Sequence, residues 1–239
     1  MTERSPLPET FERPPPGRCL LLAPHADDDV IGCGGTLCKH ALQGDPVRVI
    51  VAYDGRQGDP EQRYDEEEYV ELRRKEARKA GAFLGFEDYV FYDYPEGHEP
   101  PPPLLKMAAQ KLSEEVKSFA PDFVYAPWIG DYHIDHWVLA RVTRLALAYA
   151  GFQGEAWGYE VWTPLVPTRI VDISDVYERK VAAMKEHASQ LEYRDLSHKA
   201  LAISAHRAMY LADEARHGEA FRPLGEVSDE DRELLPSDR

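Results

Sequence analysis

The stretch Arg18-Cys19-Leu20-Leu21-Leu22-Ala23 indicates the fold class, because a short and almost continuous apolar run is typical of a strand buried on both faces. Comparable runs predict five further strands, at 47–53, 88–92, 122–126, 156–162 and 169–173. The pairing of the last two strands does not follow from the sequence. Strands buried on both faces are characteristic of parallel sheets.

Helical patterns separate these strands along the chain. The predicted helices are 33–43, 66–84, 104–119, 135–149, 176–191 and 199–215. Alternation of strand and helix predicts a parallel sheet covered by helices, and the handedness of crossovers makes it a Rossmann-like stack. With 239 residues, 43% of them hydrophobic, the chain can bury one substantial core. We therefore predict a single-domain α/β protein, a Rossmann-like three-layer fold with a mostly parallel sheet over residues 18–222.

The two ends of the chain have a different composition from the rest. Residues 1–17 are proline-rich and include Pro14-Pro15-Pro16, so we expect a flexible arm. Residues 223–239 are polar, and we expect this tail to fray. The start carries no basic region followed by an apolar stretch, and no run approaches the ~20 apolar residues of a spanning helix. We expect a cytoplasmic protein.

The charge of the chain limits its partners. The formal net charge is −15, and acidic runs such as Asp65-Glu66-Glu67-Glu68 contribute to the excess. A surface of this sign repels phosphate backbones and anionic lipids, so we expect neither nucleic acid nor membrane as a partner. The three cysteines have no C-x-x-C spacing, which argues against a disulfide framework and a structural zinc site.

Polar side chains follow two of the predicted strands. His25, Asp27 and Asp28 come directly after the first strand, and His133 and His136 follow the strand at 122–126. Ligands bind at the carboxyl ends of strands in open α/β sheets, so these segments would form one site if the two strands are neighbours. Two imidazoles and one carboxylate, from His25, Asp28 and His136, suit a catalytic zinc that keeps an open position.

The remaining polar groups of these segments predict a hydrolytic mechanism. Asp27 and Asp28 are adjacent and should point in different directions, so Asp27 is free to act as general base toward water activated by the metal. A protonated His133 would stabilise the oxyanion, and Asp135 would orient an imidazole. The alternative is that the histidines are surface residues and the Asp triplet caps a helix.

Other features leave more than one interpretation open. The segment Gly32-Cys33-Gly34-Gly35 fits neither nucleotide-binding glycine motif, and we expect it to let the metal loop pack closely against the next helix. The loop at 54–63 and the proline run at 100–103 either rim a pocket or are ordinary connections. His187 and Gln190 either close the cleft or pack on a helix face.

The sequence resembles a known family at these motifs. Pro24-His25-Ala26-Asp27-Asp28-Asp29 and Gly32-Cys33-Gly34-Gly35 are similar to the P-H-P-D-D-E-x-x-G-x-G-G signature of the LmbE-like, or PIG-L, zinc-dependent N-acetylglucosamine deacetylases. His133-Ile134-Asp135-His136 is similar to the H-x-D-H motif of that family. The resemblance extends from about Arg18 to Phe221.

The resemblance implies the same roles as the residue chemistry. His25, Asp28 and His136 match the zinc ligands, Asp27 the general base, and His133 the residue that stabilises the oxyanion. In two positions the chain departs from the signature, with Ala26 in place of proline and Asp29 in place of glutamate. The shorter carboxylate of Asp29 changes a supporting contact, and neither departure removes a ligand.

The resemblance also implies a substrate class. Arg73 matches an arginine that contacts the sugar in some members. We expect removal of the acetyl group from an N-acetylglucosamine-type sugar or its conjugate, such as the thiol-cofactor precursor glucosaminyl-malate. The alternatives are a metal-dependent amidase or deacylase acting on a non-sugar amide, and a catalytically silent metal- or sugar-binding protein. One Zn²⁺ is expected per chain, with Fe²⁺, Co²⁺ or Mn²⁺ also suited to the donor set; a homo-oligomer is compatible with the sequence.

Overall fold

The computed structural model describes residues 6–193 and 195–236. Eight strands form one sheet in these residues. The strands are β1 (Glu9–Phe11), β2 (Cys19–Ala23), β3 (Val47–Tyr53), β4 (Asp88–Tyr94), β5 (Phe123–Pro127), β6 (Glu155–Tyr159), β7 (Arg169–Asp172) and β8 (Gly218–Pro223). The α-helices are α1 (Asp28–Leu42), α2 (Glu66–Leu84), α3 (Pro102–Phe119), α4 (Ile134–Ala150), α5 (Tyr177–Lys185), α6 (Ala188–Leu191), α7 (Leu196–Arg207) and α8 (Asp229–Arg232).

The sheet has the order β1-β7-β8-β6-β5-β2-β3-β4. All neighbouring strands are parallel except at β8, which runs antiparallel to both β6 and β7. Strand β2 lies between β3 and β5, as the predicted convergence of the two polar segments requires. The prediction of an α/β fold with a mostly parallel sheet is confirmed.

Helices cover both faces of the sheet, which gives the three predicted layers. Side chains of β2 alternate between two buried apolar clusters, with Leu21 packed in one cluster and Leu20 and Leu22 in the other. The first cluster includes side chains of α1, α2 and α5, and the second includes side chains of α3 and α4. A strand buried in this way reads as a continuous apolar run, which explains why β2 is recognisable in the sequence.

Two strands were not predicted. Strand β1 lies within the segment 1–17, which we expected to be a flexible arm, and it pairs in parallel with β7 at the edge of the sheet. Strand β8 has no clear apolar alternation, because it contains the buried Glu219 beside Ala220 and Phe221. The prediction of a loose arm is therefore wrong for Glu9–Phe11, and residues 1–5 lie outside the described part of the chain.

The C-terminal segment packs against the fold. Helix α8 lies within the predicted fraying tail, and Asp231 on it accepts a hydrogen bond from Arg141 on α4 at 2.6 Å. Leu224 is buried in the same cluster as α4. The expectation of a loose tail is therefore wrong at Leu224 and Asp231, which are buried against the rest of the fold. Residues 237–239 are outside the described part.

Helix α1 begins at Asp28, five residues earlier than predicted, so the glycines lie inside the helix. A Cβ at Gly32 would come within 2.2 Å of Tyr159 Cδ2, and a Cβ at Gly35 within 2.5 Å of Ile173 Cγ2. The glycines therefore let α1 approach the sheet and the segment after β7 closely. This differs from the expected close packing of the metal loop on a following helix.

Candidate active site

The two polar segments meet at the carboxyl ends of β2 and β5. These strands pair directly in parallel, with Leu21 opposite Tyr125. The chain leaves β2 at Ala23 and enters α1 at Asp28, which brings His25 and Asp28 to this edge. It leaves β5 at Pro127 and enters α4 at Ile134, where His136 lies in the first turn.

The three predicted metal ligands lie around one point. Oδ2 of Asp28 is 3.1 Å from Nδ1 of His25 and 3.3 Å from Nε2 of His136, and one ligand atom of each residue lies within 4.8 Å of the others. His136 is fully buried, and its Nε2 makes no hydrogen bond. A buried imidazole nitrogen facing a shared carboxylate is costly to leave without a partner. This donor set fits a divalent metal ion.

The electrostatics of the triad favour a bound cation. Burial opposes charge on His136, but the Asp28 and Asp131 carboxylates outweigh it and raise the pKa of His136 to about 9. The pKa of His25 is likewise raised, against burial, by hydrogen bonds to Asp135, Asp28 and Glu96. Burial also opposes charge on Asp28, but His136 and His25 hold its pKa well below the usual value. The site therefore holds positive charge, as protons or as a metal ion.

A second set of carboxylates supports the imidazoles. Oδ2 of Asp135 lies 3.1 Å from Nε2 of His25, within hydrogen-bonding distance of this imidazole. Asp131, which the sequence analysis missed, has Oδ2 at 3.4 Å from Nδ1 of His136. Asp131 also accepts hydrogen bonds from the backbone of His133 and Trp162. The signal available in the sequence was an aspartate in the segment between the predicted strand at 122–126 and His133.

The candidate base is held by an arginine. Oδ1 of Asp27 accepts a hydrogen bond from Nη2 of Arg73 at 3.0 Å, and Nη1 of Arg73 donates to the carbonyl oxygen of Gly55 at 3.2 Å. Arg73 is 4% exposed. The two adjacent carboxylates have different partners, since Asp27 contacts Arg73 whereas Asp28 contacts His25 and His136. Arg73 therefore contacts the candidate base while also lining the cavity.

His133 lies at the mouth of the site. Its ring is 4.8 Å from the ring of His136 and 6.3 Å from that of Trp162, and its side chain is 32% exposed. Burial, followed by the positive charge on His136, lowers the pKa of His133. The expectation of a protonated His133 is therefore not supported, and a neutral imidazole can still donate one N–H.

Asp29 lies behind the site and points into the core. Its Oδ2 accepts a hydrogen bond of 2.6 Å from the hydroxyl of Tyr89 on β4, and its Oδ1 has no hydrogen-bond partner. Burial raises the pKa of Asp29 to about 7, against the Tyr89 hydrogen bond. This hydrogen bond joins the start of α1 to the edge strand β4. The Asp29 side chain therefore points away from the candidate ligand atom of Asp28.

A cavity of about 360 Å³ opens over these residues. The loop at 54–63 contributes Gln57, Gly58 and Pro60 to one side of its wall, and Glu96 and Gly97 line the other side. The proline run at 100–103 is not among the described residues that line the cavity. Gln190, Tyr193 and Trp162 complete the wall. Glu96 was not predicted; its Oε2 lies 3.2 Å from Nε2 of His25.

His187 is buried beside the site. Neither of its ring nitrogens makes a hydrogen bond, and burial lowers the pKa of His187 to about 4. It precedes the short helix α6, whose Ser189 donates hydrogen bonds from its backbone and hydroxyl to Glu76 on α2. These hydrogen bonds attach α6 to α2 and so keep Gln190 in the wall of the cavity.

Comparisons with known proteins identify the family of this chain. The family model PIG-L, described as GlcNAc-PI de-N-acetylase, matches residues 20–147. A 1D-myo-inositol 2-acetamido-2-deoxy-alpha-D-glucopyranoside deacetylase from Mycobacterium sp. (strain KMS) is 28% identical, with 73% of this chain and 74% of that protein covered. A diacetylchitobiose deacetylase from Thermococcus kodakarensis is 25% identical, with 72% of this chain and 70% of that protein covered.

A solved structure is similar over most of the fold. The N,N'-diacetylchitobiose deacetylase from Pyrococcus horikoshii has a TM-score of 0.73 and 25% sequence identity, and the match covers 86% of this chain and 82% of that chain. Within residues 6–193 and 195–236, no helix combines the length and apolarity needed to cross a membrane. Since the family match spans more than half of the sequence, this chain belongs to the PIG-L family, described as GlcNAc-PI de-N-acetylase.

Proposed function

We propose that this protein is a zinc-dependent N-deacetylase acting on a small N-acetylglucosamine-type sugar or its conjugate. The observation that carries the proposal is the meeting of His25, Asp28 and His136 at one point, with Asp27 beside them in the same cavity. Family membership and the amino-sugar deacetylases among the relatives support it. No observation on this chain favours a non-sugar amide.

The metal would be held by His25, Asp28 and His136. A divalent ion bound there supplies Lewis acidity toward the amide carbonyl and lowers the pKa of water. Zinc suits two imidazoles and one carboxylate, and Fe²⁺, Co²⁺ or Mn²⁺ would also be accepted by these ligands. Asp131 and Asp135 fix the orientation of the His136 and His25 rings from behind.

Asp27 carries the proton transfers. Arg73 donates to Oδ1 of Asp27, so Oδ2 is left to accept a proton from the attacking water. The same carboxyl group then returns the proton to the departing amine. Because Arg73 is buried and is also anchored on Gly55, it keeps the base in one orientation during both transfers.

His133 would stabilise the oxyanion of the tetrahedral intermediate. Its ring lies at the cavity wall beside the ring of His136, so an N–H from the neutral imidazole can reach a carbonyl oxygen bound next to the ligands. A donor of this kind contributes about 10²–10³-fold to the rate.

The proposal is tested with Asp27→Asn, which keeps the shape of the side chain and removes its basicity. We expect metal binding to be retained and deacetylation to fall by about 10²–10⁴-fold. The measurement is free-amine release from N-acetylglucosamine conjugates, together with metal content by elemental analysis of protein purified without added metal.

The exposed Asp229 provides a matched control, since Asp229→Asn makes the same chemical change on α8 and should leave the activity unchanged. Faster turnover of acetylated peptides or simple amines than of any amino sugar would refute the sugar specificity. Absence of turnover on all substrates by metal-loaded protein would indicate a binding protein.

A further inference from the structure

We infer that the site selects uncharged N-acetylglucosamine glycosides and rejects conjugates that carry a carboxylate or phosphate, and that Glu96 is the residue that determines this selection. The inference rests on the proposed function and narrows its substrate class. It depends on the charges of the cavity wall and on the place of Glu96 within it.

Carboxylates dominate the charge of the cavity wall. Four of them line it: Asp27, Asp28, Glu96 and Asp135. Among the described residues that line the cavity, Arg73 is the single arginine or lysine. Its guanidinium is committed to Asp27 and to the carbonyl oxygen of Gly55, so it is already neutralised by a protein partner.

A bound metal ion does not reverse this balance. A divalent ion and Arg73 together provide three positive charges against the four carboxylates that line the cavity. The chain as a whole carries a formal net charge of −15, which adds a repulsive field for anions approaching from solvent. A substrate with an anionic group therefore meets unfavourable charge both on approach and inside the site.

The arginines nearest the cavity loops are paired with carboxylates. Arg56 lies 2.8 Å from Asp54 and 3.1 Å from Glu66. Arg63 contacts carboxylate oxygens of Glu61 at 2.7 Å and Glu192 at 3.2 Å. Each of these arginines contacts two carboxylates, so neither presents excess positive charge to a phosphate or a carboxylate.

Glu96 lines the cavity and also contacts His25. Its side chain is 7% exposed, its Oε1 accepts the backbone N–H of Gln57 at 2.5 Å, and its Oε2 faces His25. The contact with Gln57 joins the two loops that form the rim. Glu96 thus stays in the wall of the cavity rather than turning into solvent.

The other groups in the wall suit a neutral sugar. Gln57, Gln190, Tyr193 and Trp162 line the cavity with amide and aromatic groups. Amides bind sugar hydroxyls through hydrogen bonds, and aromatic rings cover the apolar face of a sugar ring. These groups provide uncharged recognition, in agreement with an uncharged glycoside as substrate.

The expected ratio of kcat/KM between neutral and anionic substrates follows from one repulsive pair of charges. Two like charges about 6 Å apart at an effective dielectric constant of about 20 change a binding constant by about 100-fold. We therefore expect kcat/KM for a neutral glycoside to exceed that for an anionic conjugate of similar size by about 100-fold.

The test compares two neutral substrates, N,N'-diacetylchitobiose and N-acetylglucosaminyl-inositol, with N-acetylglucosaminyl-malate and N-acetylglucosamine 1-phosphate. Free-amine release is measured with metal-loaded protein, at low and at high ionic strength. We expect kcat/KM to be higher for the neutral pair than for the anionic pair. The ratio of the two values should decrease at high ionic strength, because salt screens the repulsion. Glu96→Gln removes this repulsive charge and should raise kcat/KM for the anionic pair by about 100-fold relative to the neutral pair.

The control is Glu67→Gln, which removes the same charge from an exposed position in the first turn of α2 and should leave the ratio unchanged. Inhibition constants of the deacetylated neutral and anionic products provide a binding readout that does not depend on turnover. Equal kcat/KM for neutral and anionic sugars would overturn the inference and leave the proposed function intact. An unchanged ratio in Glu96→Gln would overturn the role of Glu96, and failure to deacetylate any of the four sugars would refute the proposed function itself.

Discussion

The two candidate histidine ligands, His25 and His136, are each supported by a second carboxylate. His25 and His136 each have one ring nitrogen near Asp28 and the other near a supporting carboxylate. Such a supporting carboxylate fixes the tautomer and raises the basicity of the ligand nitrogen. Asp131 therefore supports a ring at the proposed metal position, although it lies far from Asp28 in the sequence.

Removal of this support should weaken metal binding. We expect Asp131→Asn to lower zinc affinity by about 10–100-fold, because the amide provides weaker orientation of the His136 ring. Competition with a chromogenic chelator measures the affinity. Asp122→Asn, a change at an exposed aspartate just before β5, should leave the affinity unchanged. An unaltered affinity in Asp131→Asn would show that Asp131 does not orient a ligand.

At the scale of elements, helix α4 joins the site to the C-terminal segment. Its first turn carries His136, and Arg141 further along contacts both Glu99 in the rim loop and Asp231 on α8. The side chains of Arg141 and Asp231 are 7% and 3% exposed. Breaking a buried pair of this kind leaves a charge without its partner. The polar tail is therefore part of the fold.

This ion pair predicts a pH-dependent contribution to stability. Burial opposes charge on Asp231, but the hydrogen bonds from Arg141 and Ser228 lower its pKa below the usual value. An acid with a lowered pKa stabilises the folded state above its unfolded pKa, and this contribution is lost as the pH falls through the folded pKa. Asp231→Asn should reduce the free energy of unfolding by about 1–3 kcal/mol at pH 7.

Urea unfolding of both proteins between pH 7 and pH 3 provides the measurement. The difference between the wild type and Asp231→Asn should shrink as the pH falls below about 4. A difference that stays constant with pH would show that the carboxylate charge does not stabilise the tail. Substitution of the exposed Asp229 by asparagine is again the control and should have little effect.

At the scale of the whole molecule, metal binding is coupled to the stability of the fold. The proposed ligands lie just after β2 and β5, between the strand ends and the first turns of α1 and α4, so unfolding separates them. An ion that binds the folded state alone stabilises it by mass action, about 2.7 kcal/mol at a free concentration of 100 times Kd. The same ion must displace the protons that the metal-free site holds.

Metal binding should therefore weaken as the pH falls. With the pKa of His136 at about 9 and that of His25 also raised, protons occupy the ligand atoms at neutral pH. We expect the apparent zinc affinity to fall by about 10-fold per pH unit for each proton displaced between pH 8 and pH 6.

Calorimetric titration in buffers of different ionisation enthalpy measures both the affinity and the number of protons released. His217→Gln, a change at a histidine stacked on Tyr177 away from the site, should show the same pH dependence as the wild type. An affinity independent of pH would contradict the assignment of His25 and His136 as ligands.

The sequence by itself determined the fold class and the metal-ligand candidates. Leu20-Leu21-Leu22 marks a strand buried on both faces, and the polar residues directly after it belong to the carboxyl end of the sheet in any α/β fold. These signals are local, since a strand pattern and the turn that follows it depend on neighbouring residues. For that reason the sequence alone predicts His25, Asp28 and the segment 133–136 as candidate site residues.

Only the tertiary structure decided which other residues join them. Arg73 reaches Asp27, Glu96 reaches His25, and Asp131 lies behind His136, through contacts that no local pattern encodes. The same reason explains strands β1 and β8, whose partner strands lie far away in the chain and whose own sequences have weak strand character. Contacts between distant segments depend on the packing of the whole chain, and this packing sets the charge of the cavity.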